Sequence, residues 1–213
     1  MRKFNTIFLL LFLFQSFVYS QGSSIIENYC PFMKEVVNAK SVVYYGLDFS
    51  KIVLTDPHKY GKDQKLMKFF PAWIDDFHKE IVPDIHIKSW LHKGDNFKTE
   101  LTSVQERFKL VANPWISFDN HSFGIDSLQE IIRSYQVKKN EGIGFVIVLE
   151  NFNKIGEYVT AYFTFFNIES KEILWATKVS GKPGGFGMSA YWAAGIRDAT
   201  KLYMNKVYFK SVN

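Results

Sequence analysis

The residues able to do chemistry in this chain of 213 amino acids are scattered, and their spacing limits what they could do together. His86 and His92 fall on one face of a strand pattern, but six residues at about 3.3 Å each hold them roughly 20 Å apart, beyond the reach of one metal ion. Asp75 and His78 stand one helical turn apart and could chelate. Neither an HExxH pattern nor a third ligand accompanies them, so a solvated helix face is the simpler reading. His58 and His121 stand beside loop residues and read as exposed side chains. Ser189, in Gly187-Met188-Ser189-Ala190-Tyr191, comes nearest to an activated nucleophile. The second glycine of a G-x-S-x-G elbow is absent, and Ser189 reads better as a helix cap. Glu150, Glu157, Glu169 and Glu172 fall at strand ends and turns, where carboxylates ordinarily sit exposed, and a general acid and base pair is defined only by separation in space. No catalytic residue, metal ligand or cofactor is assigned on these grounds.

The segment Gly181-Lys182-Pro183-Gly184-Gly185-Phe186-Gly187 leads directly into a helical pattern. N–H groups left open at a helix start, with Lys182 beside them, would suit an anion. The Lys-Ser/Thr step of a phosphate-binding loop is missing. The plainer reading is that the glycines supply positive φ where the chain turns from sheet edge to helix, while Phe186 plugs the core. Tyr158, Tyr162 and Phe166 share one face of a strand, with Phe163 and Phe165 on the other. Most of these rings belong in a core. An uncovered face would instead turn Tyr162 and its neighbours into a surface for a partner. Lys182, Gly184, Gly185, Phe186 and Tyr162 are therefore the candidate ligand- or partner-binding residues.

The elements that must position these residues are written in the apolar spacing. Val42 to Leu54 is β-branched and aromatic and closes at Thr55-Asp56-Pro57, the pattern of a strand or a bent pair of strands. From Leu66, residues Phe69, Phe70, Trp73, Ile74, Phe77 and Ile81 fall on one helical face, with Asp63 as a cap and Pro71 in the first turn or at a kink. Ile85, Ile87 and Leu91 alternate with polar residues as a short strand, and Phe97 to Val111 fits either helix or strand. Asp126 followed by Gln129 resembles a capping box ahead of a stripe formed by Leu128, Ile131, Ile132 and Tyr135. Ile143 to Leu149 is apolar apart from Gly144, as in a strand covered on both faces. Tyr158 to Ile168 and Glu172 to Ser180 complete an antiparallel meander with it. A last helix, roughly Met188 to Tyr208, puts Trp192, Ile196, Ala199 and Tyr203 on one face, to lie across the meander.

Arg2 and Lys3, the apolar run Ile7 to Phe14 and the small-residue end Val18-Tyr19-Ser20 have the form of a secretory signal occupying residues 1–20. Its removal leaves 193 residues as a single domain, 21–213, with a formal charge that falls from +5 to +3. That mild excess is not a nucleic-acid footprint, and no remaining segment is long and apolar enough to span a bilayer. Cys30, the only cysteine, cannot form an internal disulfide; it lacks a lipobox and reads as a buried inert thiol.

The string Gly142-Ile143-Gly144-Phe145-Val146-Ile147-Val148-Leu149-Glu150, then Asn153-Lys154, Gly184-Gly185-Phe186-Gly187 and Tyr191-Trp192-Ala193, resembles a family of uncharacterised secreted proteins of Gram-negative, Bacteroidetes-type bacteria. The resemblance is best over Ile125 to Tyr208 and implies no catalytic residues. In element order the chain is more distantly similar to the amino-terminal domain of TolB and to CsgG-like curli secretion lipoproteins, an analogy of fold that transfers no function. The expectation is an α/β protein with a mixed sheet, a C-terminal antiparallel meander and helices packed on it. It would be exported to the periplasm or cell envelope, or travel to the cell exterior. Its expected role is as a non-enzymatic module that binds an envelope protein or component and no nucleic acid. The alternatives are a small-molecule hydrolase or a binder of an anionic ligand near residues 181–187.

Overall fold

The computed structural model describes residues 22–60, 70–77, 91, 97–104, 107, 115–138 and 141–212. The leader at 1–20, Leu66, Phe69, Ile81, His78, His86, His92 and the strand proposed at Ile85 and Ile87 lie outside the described residues. In chain order the elements are β1 (Ser24–Tyr29), α1 (Met33–Asn38), β2 (Val42–Asp48), β3 (Val53–Thr55) and α2 (Pro57–Tyr60). Then come α3 (70–77), β4 (Phe97–Thr99), β5 (Trp115–Ser117), α4 (Ile125–Arg133), β6 (Ile143–Asn153), β7 (Tyr158–Asn167) and β8 (Ile173–Gly181). The chain closes with α5 (Met188–Tyr203), a π-helical turn at Met204–Tyr208 and α6 (Phe209–Val212).

One mixed sheet of eight strands runs in the order β1-β8-β7-β6-β2-β4, with β3 and β5 carried on the far half of β6. From β6 outward through β7 and β8 to β1 the pairing is antiparallel, which is the expected meander extended by one strand. The pairs β6–β2, β6–β3, β2–β4 and β3–β5 are parallel. Strand β6 spans 11 residues because it serves both halves of the bent pair, β2 along its first part and β3 along its last. The bend between β2 and β3 is closed by Asp48, whose Oδ1 accepts the Ser50 N–H at 2.7 Å, and by Ile52 N–H on Phe49 O at 3.2 Å.

Side-chain alternation divides the core into two layers. Phe145, Ile147, Phe163, Phe165 and Trp175 face α5 and α3, where Phe163 stacks on Tyr203 at 4.5 Å and Phe152 on Trp192 at 4.8 Å. Val146, Val148, Tyr162 and Phe166 face the other way, under Leu128, Ile131 and Ile132 of α4. Helix α5 buries Trp192, Ile196, Ala199 and Tyr203, the face its spacing prescribed.

Four local expectations are corrected. Phe186 does not plug the core: it is 100% exposed, because the chain reverses through Gly185 (φ +98) and Gly187 (φ +86) on either side of it. Ser189 does not cap α5, whose N-cap is Gly187, but donates to Asp76 Oδ2 of α3 at 3.2 Å. No capping box forms at α4, which starts from Gly124. Gln129 instead clamps the β7–β8 turn, donating to Lys171 O at 2.6 Å and accepting from Ile173 N–H at 3.0 Å. Cys30 is exposed, since it follows the outermost of the described strands.

Candidate functional site

Helix α4 shelters only part of its face of the sheet. Towards the end of β6 the same face changes from apolar to polar. Val146 and Val148 give way to Glu150, Phe166 and Tyr162 to Thr160, and Ala176 to Lys178 and Ser180, following the two-residue period of each strand. A register shift between Leu149 and Asn151 falls at Glu150. Over this polar patch the segment that joins β5 to α4 folds back, and between them lies a cleft of about 500 Å³. Its lining includes Ser24 and Ile26 of β1, Asn120, His121 and Ser122 of the connecting segment, and Glu150, Tyr158, Thr160 and Lys178 of the sheet.

The floor of the cleft is a buried ion pair. Lys178 Nζ lies 2.8 Å from Glu150 Oε1, with side chains only 5% and 2% exposed. Both charges grip one residue of the overlying segment: Glu150 Oε1 accepts the Phe123 N–H at 2.7 Å, and Lys178 donates to Phe123 O at 2.9 Å. A third Lys178 proton goes to Ser122 Oγ at 2.8 Å. The Tyr162 hydroxyl is 2.9 Å from both Phe123 O and Glu27 Oε2, and its ring stacks on Phe123 at 5.4 Å. Burial pushes the Tyr162 phenol well above its ordinary range, and the neighbouring Glu27 adds to the shift. The rim is tied by Asn120, whose Oδ1 accepts from Asn151 at 2.8 Å and from the Tyr158 hydroxyl at 2.8 Å.

Some polar capacity in this cleft is unused. Thr160 is 5% exposed, and its hydroxyl finds no partner among the described residues. The Phe123 N–H and the Lys178 ammonium both meet Glu150 at Oε1. The Ser122 hydroxyl accepts from Lys178, so its own proton is available. Ser122 and Lys178 have the separation of a Ser–Lys nucleophilic pair, but the three ammonium protons are directed at Glu150, Ser122 and Phe123. No lone pair on Nζ faces the serine, so activation of that kind has no base here. Among the described residues no three His, Cys, Asp or Glu side chains converge on a common point that a metal ion could occupy.

The candidate residues named from sequence do not converge on this cleft. Tyr162 is fully buried beneath Phe123 and is not among the residues that line the cleft. Lys182, Gly184, Gly185 and Phe186 lie outside the lining. Part of the donor capacity of that loop is already spent: Lys182 N–H donates to Asp198 Oδ2 at 2.8 Å, Gly184 N–H to Tyr191 O at 3.2 Å, and Ser23 Oγ also meets Asp198. Glu157, Glu169 and Glu172 are exposed as anticipated, but Glu150 is buried because both sheet and overlying segment cover it. His58 is exposed, at the edge of the Phe118 ring 5.3 Å away, whereas His121 is half-buried in the cleft wall. Lys178 and Thr160 escaped the reading of the sequence. A lysine within a strand of mostly apolar residues was the available signal, since a buried cation demands a partner.

A second feature lies on the sheet's open edge. No described strand pairs with the outer side of β1, and along it Ile25, Ile26, Tyr29 and, just beyond, Phe32 are 44%, 52%, 41% and 38% exposed. No described helix is long and apolar enough to cross a membrane. No family model matches this chain, and no curated protein is significantly similar to it.

Proposed function

We propose that the chain is an exported, non-enzymatic interaction module of the periplasm or cell envelope, and that it holds an extended apolar segment of a partner protein as an added strand on β1. The observation that carries this reading is the outer edge of β1, with which no described strand pairs, together with the exposed apolar side chains of Ile25, Ile26, Tyr29 and Phe32 on and just beyond that strand. Monomeric proteins blunt such edges with charges, prolines or covering loops. Here the edge carries large apolar side chains that a partner strand would bury, with the backbone groups supplying the hydrogen bonds. The leader-like residues 1–20 and the resemblance of residues 125–208 to secreted proteins support the location. Crosslinking in an envelope extract, followed by hydrogen exchange on the captured complex, tests it. Slowed exchange confined to Ser24–Tyr29, and loss of capture in Ile25→Lys/Tyr29→Lys, is the expected result. Protection elsewhere, capture indifferent to the substitutions, or a homodimer formed through β1 would overturn it.

A further inference from the structure

We infer that the end of the sheet where β3, β5 and β6 finish docks on a lipid surface, with Phe118, Ile155 and Phe186 inserted into it. These three strands run parallel and finish together at Thr55, Ser117 and Asn153. Strand β7 sets out from the same end at Tyr158, β8 returns to it at Gly181, and β1 enters from it at Ser24. Three connections leave this end, and each holds one of the three most exposed large apolar side chains among the described residues. Phe118 and Ile155 are 65% exposed and Phe186 is 100% exposed. By contrast, the turn between β7 and β8 at the opposite end buries its large apolar residue, Ile168, completely. Single exposed apolar side chains are ordinary, but three gathered at one end mark a contact surface. Phe186 is moreover held out by construction. Positive φ at Gly185 and Gly187 turns the chain on both sides of it, and Lys182 N–H on Asp198 and Gly184 N–H on Tyr191 O pin the base of the loop.

Spacing, charge and the course of the chain select the occupant. Phe118 follows β5, Ile155 lies between β6 and β7, and Phe186 follows β8, so at about 4.8 Å per strand the tips spread over roughly 19 Å. A fluid apolar layer takes in separate tips at once, whereas a folded partner would need a pocket for each. The lysines of these connections, Lys154 and Lys182, are matched by Glu157 and Asp119, which favours apolar insertion at the headgroup boundary over attraction to an anionic partner. The chain reaches β1 through Gly22 and Ser23, and the Ser23 hydroxyl shares Asp198 with the base of the Phe186 loop. Residues 1–20, with their apolar run Ile7 to Phe14, therefore join the protein at this end. It is the end next to the bilayer while a secretory leader is attached, a step that rests on the export reading above.

Sedimentation of the chain from Gln21 onward with vesicles tests the surface, using phosphatidylcholine and phosphatidylethanolamine with or without phosphatidylglycerol. Both kinds of vesicle should carry the protein down, with less than about twofold change in partition between about 50 mM and about 500 mM salt. Phe118→Ser/Ile155→Ser/Phe186→Ser alters only exposed side chains, should keep the parent's Tm, and should weaken partition at least about tenfold. No sedimentation of the parent, undiminished sedimentation of the variant, or binding that needs the anionic lipid and is lost at high salt would overturn the inference. Capture of an envelope protein through these three side chains, in place of vesicles, would overturn it too. Ile25→Lys/Tyr29→Lys should still bind vesicles, so failure at the strand edge and failure at this end are separable, and cell fractionation reports on export by itself.

Discussion

Phe123 is held by its peptide, N–H on Glu150 and carbonyl on Lys178, and this clasp is what keeps the connecting segment over the sheet. Both charged side chains are almost wholly buried, so removing either leaves the other without compensation. Lys178→Met should cost about 3–5 kcal/mol, and Glu150→Leu a similar amount. The double substitution should recover most of that loss, because a well-packed apolar pair replaces two desolvated charges. Urea unfolding of the four proteins gives the cycle. A single substitution costing less than about 1 kcal/mol would show a solvated pair that anchors nothing. The spacing of Lys178 in β8 was visible as an anomaly in the sequence. Its partner was not, because Glu150 is 28 positions away and the pairing depends on strand order.

Among the elements, α5 sits unusually close to the sheet, and two glycines explain how. A Cβ on Gly181 at the end of β8 would fall 2.1 Å from Gly195 O and 2.5 Å from Ala199 N. One on Gly195 would meet Val159 Cγ2 at 2.6 Å. Backbone cannot yield as a flexible side chain can, so Gly181→Ala should lift the helix and cost about 1–3 kcal/mol or more. Thermal melting beside Gly184→Ala checks it, since a Cβ at Gly184 meets nothing within 4 Å. The stripe of α5 was legible because a period of 3.6 residues is local. Its start was not, since Ser189 found a tertiary acceptor in Asp76 and left the cap to Gly187. The π-helical turn at Met204–Tyr208 likewise left no trace in the spacing. It carries Tyr208 to within 5.8 Å of Trp175, stacked on it.

Across the whole molecule, the density of buried tyrosine predicts the response to alkali. Burial pushes Tyr45 up to about 12, with Glu100 adding to it, and Tyr208 up to about 12. Burial raises Tyr44, Tyr60, Tyr135 and Tyr203 as well. A phenol whose folded value lies above its unfolded value of 10.0 contributes stability that is complete below that pH and is lost as pH rises through the folded value. The urea midpoint should therefore hold level up to about pH 10 and fall between about 10 and about 12. Phenolate absorbance should rise cooperatively with unfolding. A smooth titration near pH 10 with the fold intact would contradict it.

The sequence by itself determined the periodic parts of this protein: the meander, the stripes of α4 and α5, the β pattern of residues 42–54 and the mixed α/β architecture they build. Each follows from which residues within a few positions of one another are apolar, and that information is local. Only the tertiary structure decided that Phe186 stands in solvent, that Glu150 is buried, and that Lys178, Ser122 and Thr160 share one cleft. Those outcomes depend on which strands become neighbours and on where α4 stops covering the sheet. Alternation names the two faces of a strand, but the packing of distant segments settles which face is closed, which is left polar, and which charges must meet there.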